Sequence, residues 1–377
     1  MKRNVASLGR VGKSRRRFLE ASLGAGAVGA LHQADCLGGP VPAAQPRKAV
    51  LDEHDPKNVK LAHRVPSDAS DDELLFLQQI GLRWARVELR AAESEIDPLR
   101  RVQQRFQRFG MRIFSAMHPA YRSLRIQLGQ KGRDQDIEQY QTFLRNLGRL
   151  GIPVANYDFH PGNTYTTASV QRRAYTAREF NLRDFRNRVE KPRFDRQYKA
   201  EDIWDYYTYF FKAVLPVAEK ADVKLALHPD DPPVAIMNGV AKIFIHYDGY
   251  RRAEQLAGKS NHWGLTFCVG TWAEGGKEMG KDVFEMIRDF GRRGKIFDVH
   301  FRNVSAALPH FVETFPDDGY LDMYRVMRDL RSVSFNGAME PDHVPQLTGD
   351  KGIRPAGTAY CIACMRSYLR RANEEVG

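Results

Sequence analysis

From about residue 59 onward the hydrophobic positions change period again and again. A short apolar or β-branched run gives way to a loop, and then to a stretch in which apolar residues recur every three to four positions. The runs are Val59 to Val65, Trp84 to Leu89, Met111 to Met117, Pro153 to Phe159, Val223 to Pro229, Trp263 to Gly270, Ile296 to Arg302 and Phe335 to Asp342. Eight such strand–helix units predict a parallel (β/α)8 barrel, although an open doubly wound sheet shares the local pattern. Helix boundaries agree with that count. Ser70 followed by Glu73 is a capping box ahead of Leu74, Leu75 and Leu77, and Gly81 and Gly110 close the first two helices. Further helices are predicted near Asp134 to Leu150, Asp202 to Lys220, Met279 to Phe290, Tyr320 to Leu330 and Ala359 to Ala372. The stretch from Pro161 to Ala200, rich in Arg, Asn, Thr and Tyr, breaks the rhythm. It is predicted to be an elaborated loop after the fourth strand, lying over the barrel mouth.

On this frame His228, Cys268, His300 and Asp342 fall at the carboxyl ends of strands five to eight. Catalytic residues of such barrels sit at those ends, so position along a strand separates chemistry from packing. Taken singly, each residue has an ordinary explanation as a hydrogen-bonded histidine or a buried thiol. Their shared placement is the argument. Two imidazoles, a thiolate and a carboxylate suit a divalent ion such as zinc, iron(II), cobalt or manganese. Earlier strand ends add Glu88, His118, Asp158 and His160, ionisable groups aimed at the same mouth.

Charge modifies this picture mainly at the N-terminus. The run Ser14-Arg15-Arg16-Arg17-Phe18-Leu19 precedes a Gly/Ala-rich apolar stretch and a Pro/Ala segment, the pattern of a twin-arginine export signal. Residues 1–45 are therefore expected to be signal and linker, and residues 46–377 a single barrel domain, periplasmic or otherwise exported. Setting aside the seven basic and two acidic residues of 1–45 lowers the net charge from +12 to +7. The remainder favours an anionic small molecule, with the export machinery as partner, no nucleic acid and no stable membrane association once the signal is removed. Four cysteines are too few and scattered for a disulfide framework. Cys361-x-x-Cys364 is expected to be helix packing rather than a redox pair, because it does not sit between a strand and a helix N-terminus.

Several segments carry a family resemblance. Leu225-Ala-Leu-His228-Pro-Asp-Asp-Pro-Pro233, Gly264-Leu-Thr-Phe-Cys268-Val-Gly270, Val299-His300-Phe-Arg302-Asn303, Gly319-Tyr-Leu-Asp322-Met-Tyr324 and Pro341-Asp342-His343 resemble, in order, the signatures of the mannonate dehydratases. The resemblance runs chiefly from Trp204 to Leu369. It implies a xylose-isomerase-like barrel and a metal-dependent dehydration of D-mannonate or a related aldonate to a 2-keto-3-deoxy acid. It also implies His228, Cys268, His300 and Asp342 as ligands of Mn2+ or Fe2+, with His343 and Tyr360 as the acid/base pair. Arg302 is a candidate clamp for the substrate carboxylate, and Asp230 and His160 are candidate contacts to the sugar. A homo-oligomer is compatible with the family.

The chain also departs from the family pattern. Gly162-Asn163-Thr164-Tyr165 stands where the family carries a Trp-Thr-Arg-like segment, and Glu340 stands where it carries an arginine. These departures keep two alternatives open: an isomerase or epimerase of the same superfamily, and a non-catalytic sugar-acid binding protein.

Overall fold

The computed structural model describes residues 51–162, 165–189 and 192–376. The export-signal reading of residues 1–45 lies outside the described residues, as do Asn163 and Thr164. Eight strands, numbered here along the barrel, are β1 Lys60–Pro66, β2 Trp84–Glu88, β3 Arg112–Met117, β4 Val154–Tyr157, β5 Lys224–Leu227, β6 Trp263–Cys268, β7 Ile296–His300 and β8 Ala338–Glu340. Each pairs in parallel with the next, and β8 returns to β1 with Lys60 opposite Ala338, closing the barrel. In β4, β6, β7 and β8 every residue is buried, because one face fills the barrel and the other lies under helices. That is why these strands read as continuous apolar runs instead of alternating ones.

The connecting helices follow the predicted signals closely. Ser70 Oγ accepts from the Glu73 amide at 3.2 Å while the Glu73 carboxylate accepts from the Ser70 amide at 2.8 Å, so the capping box is reciprocal. Gly81 and Gly110 adopt φ of +82° and +67°, left-handed conformations that stop the first two helices. In helix Ala200–Ala221, Trp204, Tyr207, Phe210 and Phe211 face inward, and burying each contributes about 1.5–3 kcal/mol. Both Cys361 and Cys364 are free thiols in helix Pro355–Val376, and burial pushes both up.

Several elements differ from expectation: helix Val269–Gly275 begins inside the predicted sixth strand run, and the predicted helix from Met279 starts only at Val283. Helix Tyr247–Ala257 lacked a clear signal, since its buried stripe of Tyr250, Ala253 and Ala257 is thin and set among charged residues. The stretch after β4 is also more than a loop. It contains a hairpin, Ala168–Arg172 with Tyr175–Asn181, then helix Leu182–Val189. The hairpin joins His310–Thr314 and Asn303–Val304, from the segment after β7, in a four-stranded antiparallel sheet. Its tight turn uses Arg173 and Ala174 at positive φ, a conformation usually announced by Asn-Gly or Gly, so the hairpin left no turn signature.

Candidate active site

Strand register builds the site. Cys268 is opposite His300 between β6 and β7, and His300 is opposite Glu340 between β7 and β8, which sets three side chains abreast at one end of the barrel. His228 follows the last residue of β5, and Asp342 lies two residues beyond β8. His228, Cys268 and His300 each bring one ligand atom within 4.8 Å of the others. His228 Nε2 is 3.1 Å from His300 Nδ1, and Asp342 Oδ2 is 3.7 Å from His300 Nδ1 and 3.9 Å from Cys268 Sγ. Ligand bonds of about 2.0–2.3 Å around one ion place neighbouring donors roughly 3–4 Å apart, so His228, Cys268 and His300 fit a single divalent cation, with Asp342 beside two of them.

Electrostatics point the same way. Burial acts to raise the Cys268 thiol, but the Arg302 guanidinium and hydrogen bonds from both imidazoles outweigh it and hold the thiol well below its ordinary value. Burial likewise opposes ionisation of Asp342, yet His343, His300 and Arg302 hold its carboxyl well below the usual carboxylate range. His300 is pushed the other way. Burial favours its neutral form, but Asp342, Cys268 and Glu340 keep it protonated well above the ordinary histidine value.

Arg302 does not do what the sequence suggested. Its side chain is fully buried and both terminal nitrogens are engaged: Nη2 donates to Asp231 at 2.7 Å and Thr271 at 3.1 Å, Nη1 donates to Glu274 and, at 3.2 Å, to Glu313, while Nε lies 3.1 Å from Asp342. No fork is left for a substrate carboxylate. Arg302 instead braces the candidate ligands from behind, and Gly270 makes room for it, since a Cβ there would meet Arg302 Nε at 2.5 Å. Glu340 was noticed only as a departure, yet it has a place here. Its Oε1 is 3.1 Å from both His300 Nε2 and Arg86 Nη1, in the fully buried interior. The sequence signal that could have found this is Arg86, a charged residue in the middle of strand β2, flanked by the apolar Ala85 and Val87. A carboxylate behind a ligating imidazole fixes its tautomer and orientation.

Beside the cluster a cavity of about 360 Å³ opens at the barrel mouth, lined by residues that include His228, His300, Asp342, His343, His160 and Asp230. His160 is buried with neither ring nitrogen in a full hydrogen bond, and burial together with Lys242 holds it well below the ordinary value, hence neutral. Asp230 accepts from the Phe244 amide through Oδ2 at 2.9 Å, while Oδ1 is unpartnered and burial pushes its carboxyl up to about 6. Asp158 also keeps one unpartnered oxygen in this cavity, and Glu88 lines it. His118 does not: it stacks on Phe143 and bonds the Ala91 carbonyl.

His343 reaches the cavity through a strained backbone. Its φ is +47°, a left-handed conformation that costs about 1–3 kcal/mol in a residue with a Cβ. Nδ1 is 2.9 Å from Glu313 Oε1 and Nε2 is 3.7 Å from Asp342 Oδ1. Tyr360, its implied partner in proton transfer, is not brought to this cavity. The ring is 39% exposed, and the hydroxyl donates to Asp317 at 2.6 Å and accepts from Arg173 at 3.2 Å, outside the lining residues. Helix Pro355–Val376 starts earlier than predicted, at Pro355, and carries Tyr360 out to the rim.

Comparison with known proteins identifies the family. The sequence model of the family described as D-mannonate dehydratase (UxuA) matches residues 176–373. Mannonate dehydratase 2 of Halalkalibacterium halodurans is 31% identical over 278 residues, covering 67% of this chain and 79% of that protein. The crystal structure of mannonate dehydratase from Streptococcus suis serotype 2 matches with a TM-score of 0.72 at 27% identity, covering 84% of this chain and 96% of the other. A xylose isomerase domain protein from Planctomyces limnophilus, at 10% identity and a TM-score of 0.55 over 83% of this chain and 98% of its own, shares the fold alone. With more than half its length inside the family model and two thirds aligned to a relative, this chain belongs to the D-mannonate dehydratase family, a family of hydro-lyases.

Proposed function

We propose that the chain dehydrates a sugar acid, D-mannonate or a closely related aldonate, to a 2-keto-3-deoxy acid in a reaction that depends on Mn2+ or Fe2+. The observation that carries this reading is the convergence of His228, Cys268, His300 and Asp342 at the edge of a polar cavity. The relatives' names supply the substrate class.

The reaction must remove the proton on C2, beside a carboxylate, and release the C3 hydroxyl as water. A divalent cation held by the four side chains would supply Lewis-acid polarisation of the substrate oxygens, a contribution of several kcal/mol. The other tasks fall to the protein. With Nδ1–H donating to Glu313, the His343 imidazole presents its Nε2 lone pair toward the cavity as proton acceptor. Glu313 and the left-handed backbone hold that ring in place. His160 and Asp230, with unpartnered polar atoms in the same cavity, hold sugar hydroxyls and orient the carbon chain.

Turnover of D-mannonate by purified protein supplied with Mn2+ or Fe2+, read by mass spectrometry, tests the proposal. A product lighter by one water and carrying a 2-keto-3-deoxy group is expected; a product of unchanged mass would assign an isomerase or epimerase instead, and binding without turnover a sugar-acid receptor. Export is proposed from the Arg15-Arg16-Arg17-Phe18-Leu19 segment. Replacing Arg15 and Arg16 with Lys is expected to retain the protein in the cytoplasm on fractionation.

A further inference from the structure

We propose that Arg64, from β1, and Arg178, from the hairpin after β4, form the anion clamp of the mouth cavity and grip the substrate carboxylate; this rests on the sugar-acid reading above. The argument begins with which cations at the site are already committed. Arg302 is engaged by carboxylates, Arg86 is bound to Glu340 at 3.1 Å, Arg122 to Asp158 at 2.5 Å, and Lys242 Nζ donates to the Pro232 carbonyl at 2.7 Å.

Arg64 and Arg178 also line the cavity, but they are held differently. Arg64 has only long ionic contacts, 3.7 Å to Glu88 and 3.8 Å to Asp342, with its side chain 40% exposed. Arg178 Nε is 3.6 Å from Glu313 and the side chain is 27% exposed. Contacts this long leave the planar forks free to turn toward a ligand, and a guanidinium matches a carboxylate with two parallel hydrogen bonds.

A second observation concerns what surrounds them. Arg354, on a backbone at φ +52°, is half-buried near both, and burial together with the positive charges of Arg178 and Arg64 pushes its guanidinium down. Glu313 and Asp350 oppose that shift without cancelling it, so the rim keeps a basic edge beside the cavity. The contacts also fix where an anion would lie. Arg64 touches Asp342, Asp342 touches His343, His343 touches Glu313, and Glu313 touches Arg178, forming an arc along the cavity wall. A carboxylate seated against this arc sits beside both the candidate cation site and the His343 imidazole, so the acidic C2 position beside it faces the group that must take its proton. The clamp supplies the basic contact that the Gly162-to-Tyr165 segment no longer carries.

Isothermal titration of the full Mn2+-supplied protein with D-mannonate and with D-mannitol, which lacks the carboxylate, tests the clamp. Wild type is expected to prefer the acid. Arg64→Gln and Arg178→Gln are each expected to weaken D-mannonate on the order of tenfold, with D-mannitol changed less than twofold and the thermal melt retained. Arg64→Lys, which keeps the charge without the fork, is expected to recover only part of the loss. Equal losses for both ligands, no loss for the acid, or tighter binding of D-mannose 6-phosphate through the same arginines would overturn the proposal. The two readings separate cleanly. A wild type that binds D-mannonate through these arginines yet releases no product removes the dehydratase and leaves the clamp. One that dehydrates it with an unchanged KM in both variants removes the clamp alone.

Discussion

The same eight strands end in two cavities of nearly equal size, about 360 Å³ at the carboxyl mouth and about 340 Å³ at the amino floor. Their chemistry is opposite. The floor is lined by Phe114, Phe297 and Phe335 with two lysines whose ammonium groups are already occupied. Lys60 Nζ donates to the carbonyls of Asn336 at 2.6 Å and Pro56 at 2.9 Å, and Lys224 Nζ lies 4.8 Å over the Phe297 ring. Among the described residues, no buried side-chain atom without a partner belongs to the floor lining, whereas Arg86, Asn156, Asp158, His160 and Asp230 at the mouth each have at least one. Buried polar groups are ordinarily satisfied, so a concentration of orphans marks where a ligand completes the protein. Size does not distinguish the two ends; unmet hydrogen-bonding capacity does.

The sharpest test of this contrast is a pair of substitutions. Cys268→Ala is expected to reduce turnover by at least about 10³-fold, the loss of several kcal/mol of ion-dependent stabilisation, with bound metal falling in parallel by elemental analysis. Lys224→Gln at the floor is expected to leave both within twofold. A floor variant that lost as much as the mouth variant would break the distinction. Next in size, His343→Ala is expected to lower kcat by about 10²–10³-fold with metal content near wild type. Loss of metal along with activity would make His343 a support of the ion site and not a proton carrier.

How much of this was legible in the sequence depended on whether a signal was local. Barrel strands are, because burial on both faces makes apolar runs such as Trp263–Cys268 stand out, and the strand ends then located His228, Cys268, His300 and Asp342 together. Side-chain pairing across the barrel is not local. Nothing near Arg302 in the chain shows that Asp231, Glu274 and Glu313 converge on it, so a clamp role looked reasonable until those partners appeared. Arg178 was equally hidden, since it reaches the mouth only because the Tyr175–Asn181 strand pairs with His310–Thr314 more than 100 residues later.

Glu340 offers a smaller and more physical test of the mouth. Glu340→Gln removes the charge that faces Arg86 and His300, leaving a buried guanidinium uncompensated. The expected cost is about 3–5 kcal/mol in chemical denaturation, with metal affinity weakened about 10–100-fold because His300 loses its orienting carboxylate. Destabilisation with unchanged metal affinity would restrict Glu340 to a structural pair. His63, one residue before Arg64, supplies the counterexample of a buried histidine outside the cavity. Burial pushes it down from 6.5 to about 4. The folded state therefore binds fewer protons there than the unfolded chain, so this contribution is complete above pH 6.5 and is lost as pH falls through 6.5 toward 4. At about 1.4 kcal/mol per pH unit it amounts to roughly 3 kcal/mol. His63→Gln is expected to flatten the stability–pH curve in that window and leave turnover at neutral pH near wild type.

The smallest expected effect is also the one on which the family resemblance and the structure disagree. The resemblance makes Tyr360 half of the acid/base pair; the coordinates put its hydroxyl against Asp317 at 2.6 Å and Arg173 at 3.2 Å, with the ring packed on Phe315. A phenol that donates to a carboxylate holds its proton more tightly, and the Asp317 hydrogen bond and partial burial do push Tyr360 up, which makes it a poorer proton donor. Tyr360→Phe keeps the ring packing and removes only these two rim contacts. A loss of less than twofold in kcat is therefore expected, with at most about 1 kcal/mol in stability. If kcat instead fell a hundredfold with KM unchanged, the rim would have to close over the mouth during turnover. The Arg173–Asp317 pair, which now ties Tyr360 to the hairpin, would then be the latch, and Asp317→Asn should reproduce the loss.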